Sequence, residues 1–291
     1  MLASLANNQV RIACACALTV LGGFAAEAAD GNRADLVNRQ VLRVCADPAN
    51  VPFSSKDPDE PGFENKIAEI VADELGGLSV EYTWFPQATG FIRRTLFAKA
   101  CDVVIGFAQG EQMVLNTNHY YTSAYAIVTK KGSDIAGVTT LKDEKLRGKR
   151  IGVIAGTPPA TVINRAGLMG NVKPYHLFVD RRYDSPTELM LEDIRSGDID
   201  VGVLWGPNAG YFAKKGGKDD ISVVPLLNEG RQPPMKFRIT MGVRQSDNQW
   251  KRQLNEVIKK RQGDIDKVLL DFGIPIVDED NNVITAPRTG G

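Results

Sequence analysis

Histidine is nearly missing from this chain: His119 and His176 are the only two in 291 residues. They share no ligand spacing with each other or with the four cysteines, so no zinc-type cluster is written here and no metal site is expected. Neither G-x-G-x-x-G nor a glycine loop ending in Gly-Lys-Ser/Thr occurs, which removes the turns that cradle a dinucleotide or a triphosphate. Charge of one sign is lacking as well. Thirty-five basic residues face 35 acidic ones, and there is no electrostatic case for nucleic acid as a partner. The pairs Lys130-Lys131 and Lys214-Lys215 stand beside glycine or acidic residues and read as short solvated faces.

Long apolar runs are confined to the N-terminus. Arg11, the uncharged stretch Ile12–Phe24 and the sequence Ala26-Glu27-Ala28 have the order of a signal peptide over residues 1–28. The stretch is too short to cross a hydrocarbon core of about 30 Å as a helix, so export to a periplasm without a membrane anchor is expected. Cys14 and Cys16 lie inside this leader without the preceding residues that lipid attachment needs.

What remains is ordinary for a soluble globular protein, with 43% apolar and 24% charged residues, and long enough for two α/β lobes. From Gln40 short apolar runs alternate with helical patterns: VLRVCAD, a helix over Phe63–Leu75, LSVEYTWF, a helix over Gly90–Lys99, then CDVVIGF. After Tyr125–Thr129 a second series follows: LKDEKLRG as helix, RIGVIAG as strand, a helix from Pro159, PYHLFV as strand, a helix over Pro186–Ser196 and the strand DVGVLW. Such β-α-β series imply mostly parallel sheets with helices on their faces. RITMGVRQ reads as another strand, and Asn248–Gln262 and Ile265–Phe272 as closing helices. The expected layout is a first lobe over 40–129 with 235–275, a second over 130–234, and a polar, frayed tail over 276–291. Two crossings near Thr129–Asp134 and Pro225–Arg238 would form the hinge.

In open parallel sheets a ligand sits beyond the carboxyl ends of the strands. The segments to inspect are Asp47–Phe53, Trp84–Thr89, Phe107–Gln112, Gly156–Pro159, Arg181–Ser185 and Trp205–Asn208. The turn IGVIAGTPP is the most telling: Gly156-Thr157 opens a helix, but Pro158 and Pro159 bring no N–H to an anion. Cys45 and Cys101 remain in an oxidising compartment. A disulfide is open to them, although opposite ends of neighbouring parallel strands would hold their Cα atoms beyond the roughly 7 Å limit for bridging.

The runs LRVCADPANVPFS, GFENKIAEIVADELG, KACDVVIGF, LRGKRIGVIAGT and RSGDIDVGVLW, in that order, resemble a type II periplasmic binding protein of the polar amino-acid class over about residues 40–275. VCADPANVPFS, YTWFPQATGFIRRTL, RITMGVR and FGIPIV are more narrowly similar to the binding-protein-like J components encoded beside quinoprotein alcohol dehydrogenases in methanol oxidation clusters. The resemblance implies a two-lobed α/β fold with a two-strand hinge. It also implies a partner, a PQQ-dependent methanol or alcohol dehydrogenase with its cytochrome c. Help would consist of opening its subunits for cofactor or metal loading, or of stabilising an assembly intermediate.

Amino-acid binders in that family grip the α-carboxylate with an arginine after the third strand and a Gly-Thr turn, and the ammonium with a carboxylate after the last strand of the second lobe. Here Met113 or Val114 stands near the arginine position and Trp205 at the carboxylate position. A buried zwitterion left unpaired costs several kcal/mol, so ordinary amino-acid binding is not expected. Candidate ligand or partner residues are Asp47, Asn50, Phe53, Trp84, Gln87, Phe91, Arg93, Phe107, Gln109, Thr157, Asp184 and Trp205. Asp47 has a competing role as a turn cap. The aromatic positions, with Phe85 and Arg94, suit a protein partner or else core packing. Delivery of a small non-amino-acid solute to an ABC transporter is the alternative. Asp47, Glu111, Asp184 and His176 have no triad or paired-carboxylate spacing, so no enzyme and no cofactor are expected.

Overall fold

Alternation in VLRVCA sinks Leu42 and Val44 into a core and starts a parallel sheet. The computed structural model describes residues 35–288 except 216, 218, 219 and 231. The expected leader, with Cys14 and Cys16, lies outside the described residues. The chain opens with β1 (Val41–Ala46), a small hairpin of β2 (Ala49–Asn50) and β3 (Ser54–Ser55), α1 (Phe63–Glu74), β4 (Ser79–Trp84), a single turn α2 (Phe91–Arg94) and β5 (Val103–Ala108). A long strand β6 (Leu115–Lys130) follows. Then come β7 (Ile151–Ile154), α3 (Pro158–Arg165), β8 (Val172–Tyr175), α4 (Pro186–Ser196), β9 (Val201–Trp205), α5 (Gly206–Lys215) and β10 (Ile221–Pro225). The described chain closes with β11 (Lys236–Val243), α6 (Asn248–Asp271), β12 (Ile276–Val277) and β13 (Val283–Ile284).

Strand order is β4-β1-β5-β11-β6-β9-β7-β8, with β10 also on β6. The parallel sets β4-β1-β5 and β9-β7-β8 are joined through antiparallel β11 and β6. Strand β6 belongs to both: Leu115–Ala124 pairs with β11, whereas Tyr125–Thr129 pairs with β9 and Ala126–Lys130 with β10. Partners therefore change at Ala124–Tyr125, ahead of the Thr129–Asp134 crossing expected from sequence. The result is the two-lobed type II periplasmic binding-protein fold.

Each sheet has its own core. On the first, α1 turns Phe63, Ile67 and Val71 onto the strands and packs with α6 through Trp250, Leu254 and Leu269. On the second, separate clusters form around Ile151 with Val203 and around Met190 with Leu204. Helix α4 begins with Ser185 accepting from the Glu188 N–H at 3.2 Å and Pro186 in its first position, the start such a dipeptide favours. Near the N-terminal end of β5, Asp102 is wholly buried. It accepts from both sides of the Arg43 guanidinium at 2.8 Å and from Arg244 at 2.6 Å.

Several expectations are corrected. Cys45 and Cys101 are bonded, with Cα atoms 5.4 Å apart. Cys101 is not in the ladder: it precedes β5, in the turn after α2, and shares a buried cluster with Cys45, Phe91 and Leu96. The helix over Gly90–Lys99 contracts to α2 followed by turns, and LKDEKLRG forms only a 3-10 turn at Glu144–Leu146. The PYHLFV strand ends at Tyr175, releasing His176–Val179. The two closing helices are present as the two parts of α6, which breaks between them at Arg261 (φ −106°, ψ 15°). The described part of the tail, up to residue 288, is not frayed: β12 pairs with β13, and Arg288 is tied to buried Asp266 at 2.6 Å.

Candidate functional site

The carboxyl ends of β5, β7 and β9, with the segment that follows β1, converge on a cavity of about 420 Å³. Trp205 ends β9 directly opposite Tyr125 in the ladder, and Gly206 fixes this corner: a Cβ there would lie 2.4 Å from the Ala124 carbonyl oxygen. Tyr125, Trp205 and Phe237 contact one another edge to face, with centroids 5.4, 5.7 and 6.4 Å apart. They make one apolar wall with Phe53, Ile154 and Leu204. Burial pushes the Tyr125 hydroxyl up to about 12, so it remains a neutral phenol.

A second cavity of about 390 Å³ adjoins the first and shares Asn50, Arg181, Pro186, Thr187 and Asn208 with it. A third, about 360 Å³, reaches Gln87 and Phe178. Arg181 lines all three. It arrives on the loop after β8 and meets Asp47, which follows β1, at 3.3 Å. Asp47 is buried and already well served, accepting from the Ala49 N–H at 2.9 Å and the Gln87 N–H at 2.6 Å. It is thus both a turn cap and a partner across the cleft.

Among residues anticipated from sequence, Asn50, Phe53, Thr157 and Trp205 line the main cavity. Asp47 and Gln87 line the third, and exposed Asp184 the second. Thr157 turns its hydroxyl onto the Ile154 carbonyl at 2.6 Å, so with the two prolines this turn offers an anion little. The others fall elsewhere. Trp84 stacks on Tyr82 at 4.6 Å on the edge strand β4. Phe91 is core beside the disulfide, and Phe107 packs against the same cluster. Exposed Gln109 uses its N–H on Arg238, and Arg93 is a surface residue of α2.

Tyr125, Phe237 and the loop residues His176 and Leu177 also line the cavity and were missed. The first two sit inside strands, where apolar alternation does not say which face meets a neighbouring lobe, and the last two were assigned to a strand. Met113 and Val114 supply no charge: Val114 is core, and Met113 is exposed. Among the described residues no three His, Cys, Asp or Glu side chains are grouped to hold a metal ion, and no helix is long and apolar enough to cross a membrane.

The family model for bacterial extracellular solute-binding proteins, family 3, matches residues 42–269. The chain belongs to this family. It is 30% identical over 254 residues to Protein MoxJ of Methylorubrum extorquens, covering 82% of this chain and 83% of that one. The crystal structure of periplasmic binding protein XoxJ from Methylobacterium extorquens AM1 is 42% identical with a TM-score of 0.69, covering 82% of this chain and all 100% of that one. That of MxaJ from Methlophaga aminisulfidivorans is 25% identical with a TM-score of 0.67, covering 81% and 100%. This family 3 member is a periplasmic binding protein by fold and by kinship. Within the family it resembles the J-type proteins.

Proposed function

We propose that this chain docks onto a periplasmic PQQ-dependent methanol or alcohol dehydrogenase and assists its maturation or activation, without being a catalyst itself. Kinship with MoxJ, XoxJ and MxaJ supports the class of partner. The observation that carries docking is the surface at the cleft mouth. Phe178 and Tyr183 are 80% and 81% exposed on the loop between β8 and α4, with Leu177 and Leu189 exposed nearby. Aromatic side chains left in water beside a cleft mark an interaction site more readily than isolated ones do. Capture of the cognate dehydrogenase on the immobilised chain is the test. Phe178→Ser with Tyr183→Ser should weaken it by about tenfold while unfolding stability stays within about 0.5 kcal/mol. Undiminished capture would remove the loop from the interface. A carrier of a small non-amino-acid solute is favoured by the cavity alone, and a permease and ATPase encoded beside the gene would support it.

A further inference from the structure

Two of the polar groups at the junction of the first two cavities have no partner among the described residues. Thr187, 7% exposed at the start of α4, lines both cavities and its hydroxyl bonds to nothing among the described residues. The half-buried Asn208 amide in α5 is equally unpartnered. Arg181 lines the same two cavities, and among the described residues its side chain makes a single hydrogen bond, the 3.3 Å contact with Asp47. Its other N–H groups are unused. Asp47 loses little if Arg181 turns away, because two backbone donors already serve it.

We propose that this junction with its aromatic wall is a binding site for a small planar aromatic carboxylate. The ring packs against Tyr125, Trp205 and Phe237. The carboxylate lies in the fork of the Arg181 guanidinium, the geometry that planar group recognises best, with the Thr187 hydroxyl and the Asn208 amide as further donors. The anion grip has thereby moved from the first lobe and the Gly-Thr turn to the loop after β8. A free amino acid is held less well, because no carboxylate lines the main cavity to pair its ammonium. A neutral aromatic is disfavoured, since it would cover these donors without pairing them. A helical segment of another protein does not fit. Its diameter is about 10 Å, whereas a cavity of about 420 Å³ bridged by Arg181 and Asp47 has small-molecule size.

Calorimetric titration of the purified chain with benzoate, cinnamate and indole-3-acetate, each beside its carboxamide, tests this, with Trp205 fluorescence as a second readout. At least one acid should bind and its carboxamide should bind about tenfold or more weakly. Arg181→Gln should cost the acid a similar factor of about ten, and Arg150→Gln, an exposed arginine paired with Asp200 away from all three cavities, should cost nothing. Melting curves of both variants confirm folding. Equal binding of acid and amide, no effect of Arg181→Gln, or binding of none of the six compounds would overturn the proposal. No dehydrogenase is present in these titrations, so a negative result leaves the docking reading untouched.

Discussion

Glu64 stands on α1 with its carboxyl driven against β5. A Cβ on Gly106 would lie 1.9 Å from its Oε1. Although the residue as a whole is half-buried, the acid group sits beneath the cleft floor, and no hydrogen bond to it is formed among the described residues. Burial, with the nearby charge of Asp47 adding to it, pushes Glu64 from 4.5 up to about 8. A raised carboxyl favours folding fully below its ordinary value, and that contribution is lost as pH climbs through the folded one. Stability should therefore decline between about pH 4.5 and 8. Glu64→Gln has no proton to lose. Denaturation curves should show the variant gaining on the parent across this window, by on the order of 1–3 kcal/mol at its upper end. Parallel pH profiles for the two proteins would mean that the carboxyl is solvated.

At the scale of elements, the bond between Cys45 on β1 and Cys101 ahead of β5 closes a loop with a sequence separation of 56. Its surroundings are dry: both cysteines are buried, and Arg244 donates to the Cys101 carbonyl at 2.6 Å. Replacing both by alanine should lower unfolding stability by about 2–4 kcal/mol, measured in urea. Dithiothreitol should then shift the parent curve and leave the variant curve in place. The same region marks how far sequence reasoning reaches. Alternation in VLRVCA and the Phe63, Ile67, Val71 spacing reveal a strand and a helix because each has one buried face. The turn that carries Cys101 across to Cys45 has no periodicity to read. HLFV looks like strand because it is apolar, yet it leaves the sheet and hangs at the cleft mouth, where its exposed side chains suit contact better than core. That the Gly-Thr turn offers an anion few donors was legible from Pro158 and Pro159, which have no N–H wherever they point. Arg181 and Asn208 fall in segments the strand ends single out, but their meeting with Thr187 was not legible, since only folding brings α4, α5 and a loop to one junction.

Over the whole molecule, β6 passes from one sheet to the other at Ala124–Tyr125, and the returning chain is bonded there too, through Tyr125 N–H to Met235 at 2.8 Å. We propose lobes at 40–124 with 236–275 and at 125–235, turning on these two adjacent crossings. Away from the hinge several contacts hold the lobes together, among them Lys214 donating to the Asp271 carbonyl at 2.6 Å and Tyr211 stacked on Phe272 at 5.8 Å. Arg181 meets Asp47, and Glu60 accepts from Lys215 and from the Tyr211 hydroxyl, the latter at 3.3 Å. Lys215 and Glu60 are each more than 40% exposed, at 42% and 44%, so water and salt screen their attraction and it is worth at most about 1 kcal/mol. That is small against folding, but open and closed arrangements of a hinge differ by little more. Glu60→Gln should therefore leave the melting temperature nearly unchanged while raising the open-to-closed ratio by up to about fivefold. Small-angle X-ray scattering would register it as a larger radius of gyration. Raising the salt concentration should move the parent toward the same value and the variant much less. A radius indifferent to both changes would mean that aromatic packing at Trp205 and Phe237, rather than the ion pairs at the rim, holds the lobes closed.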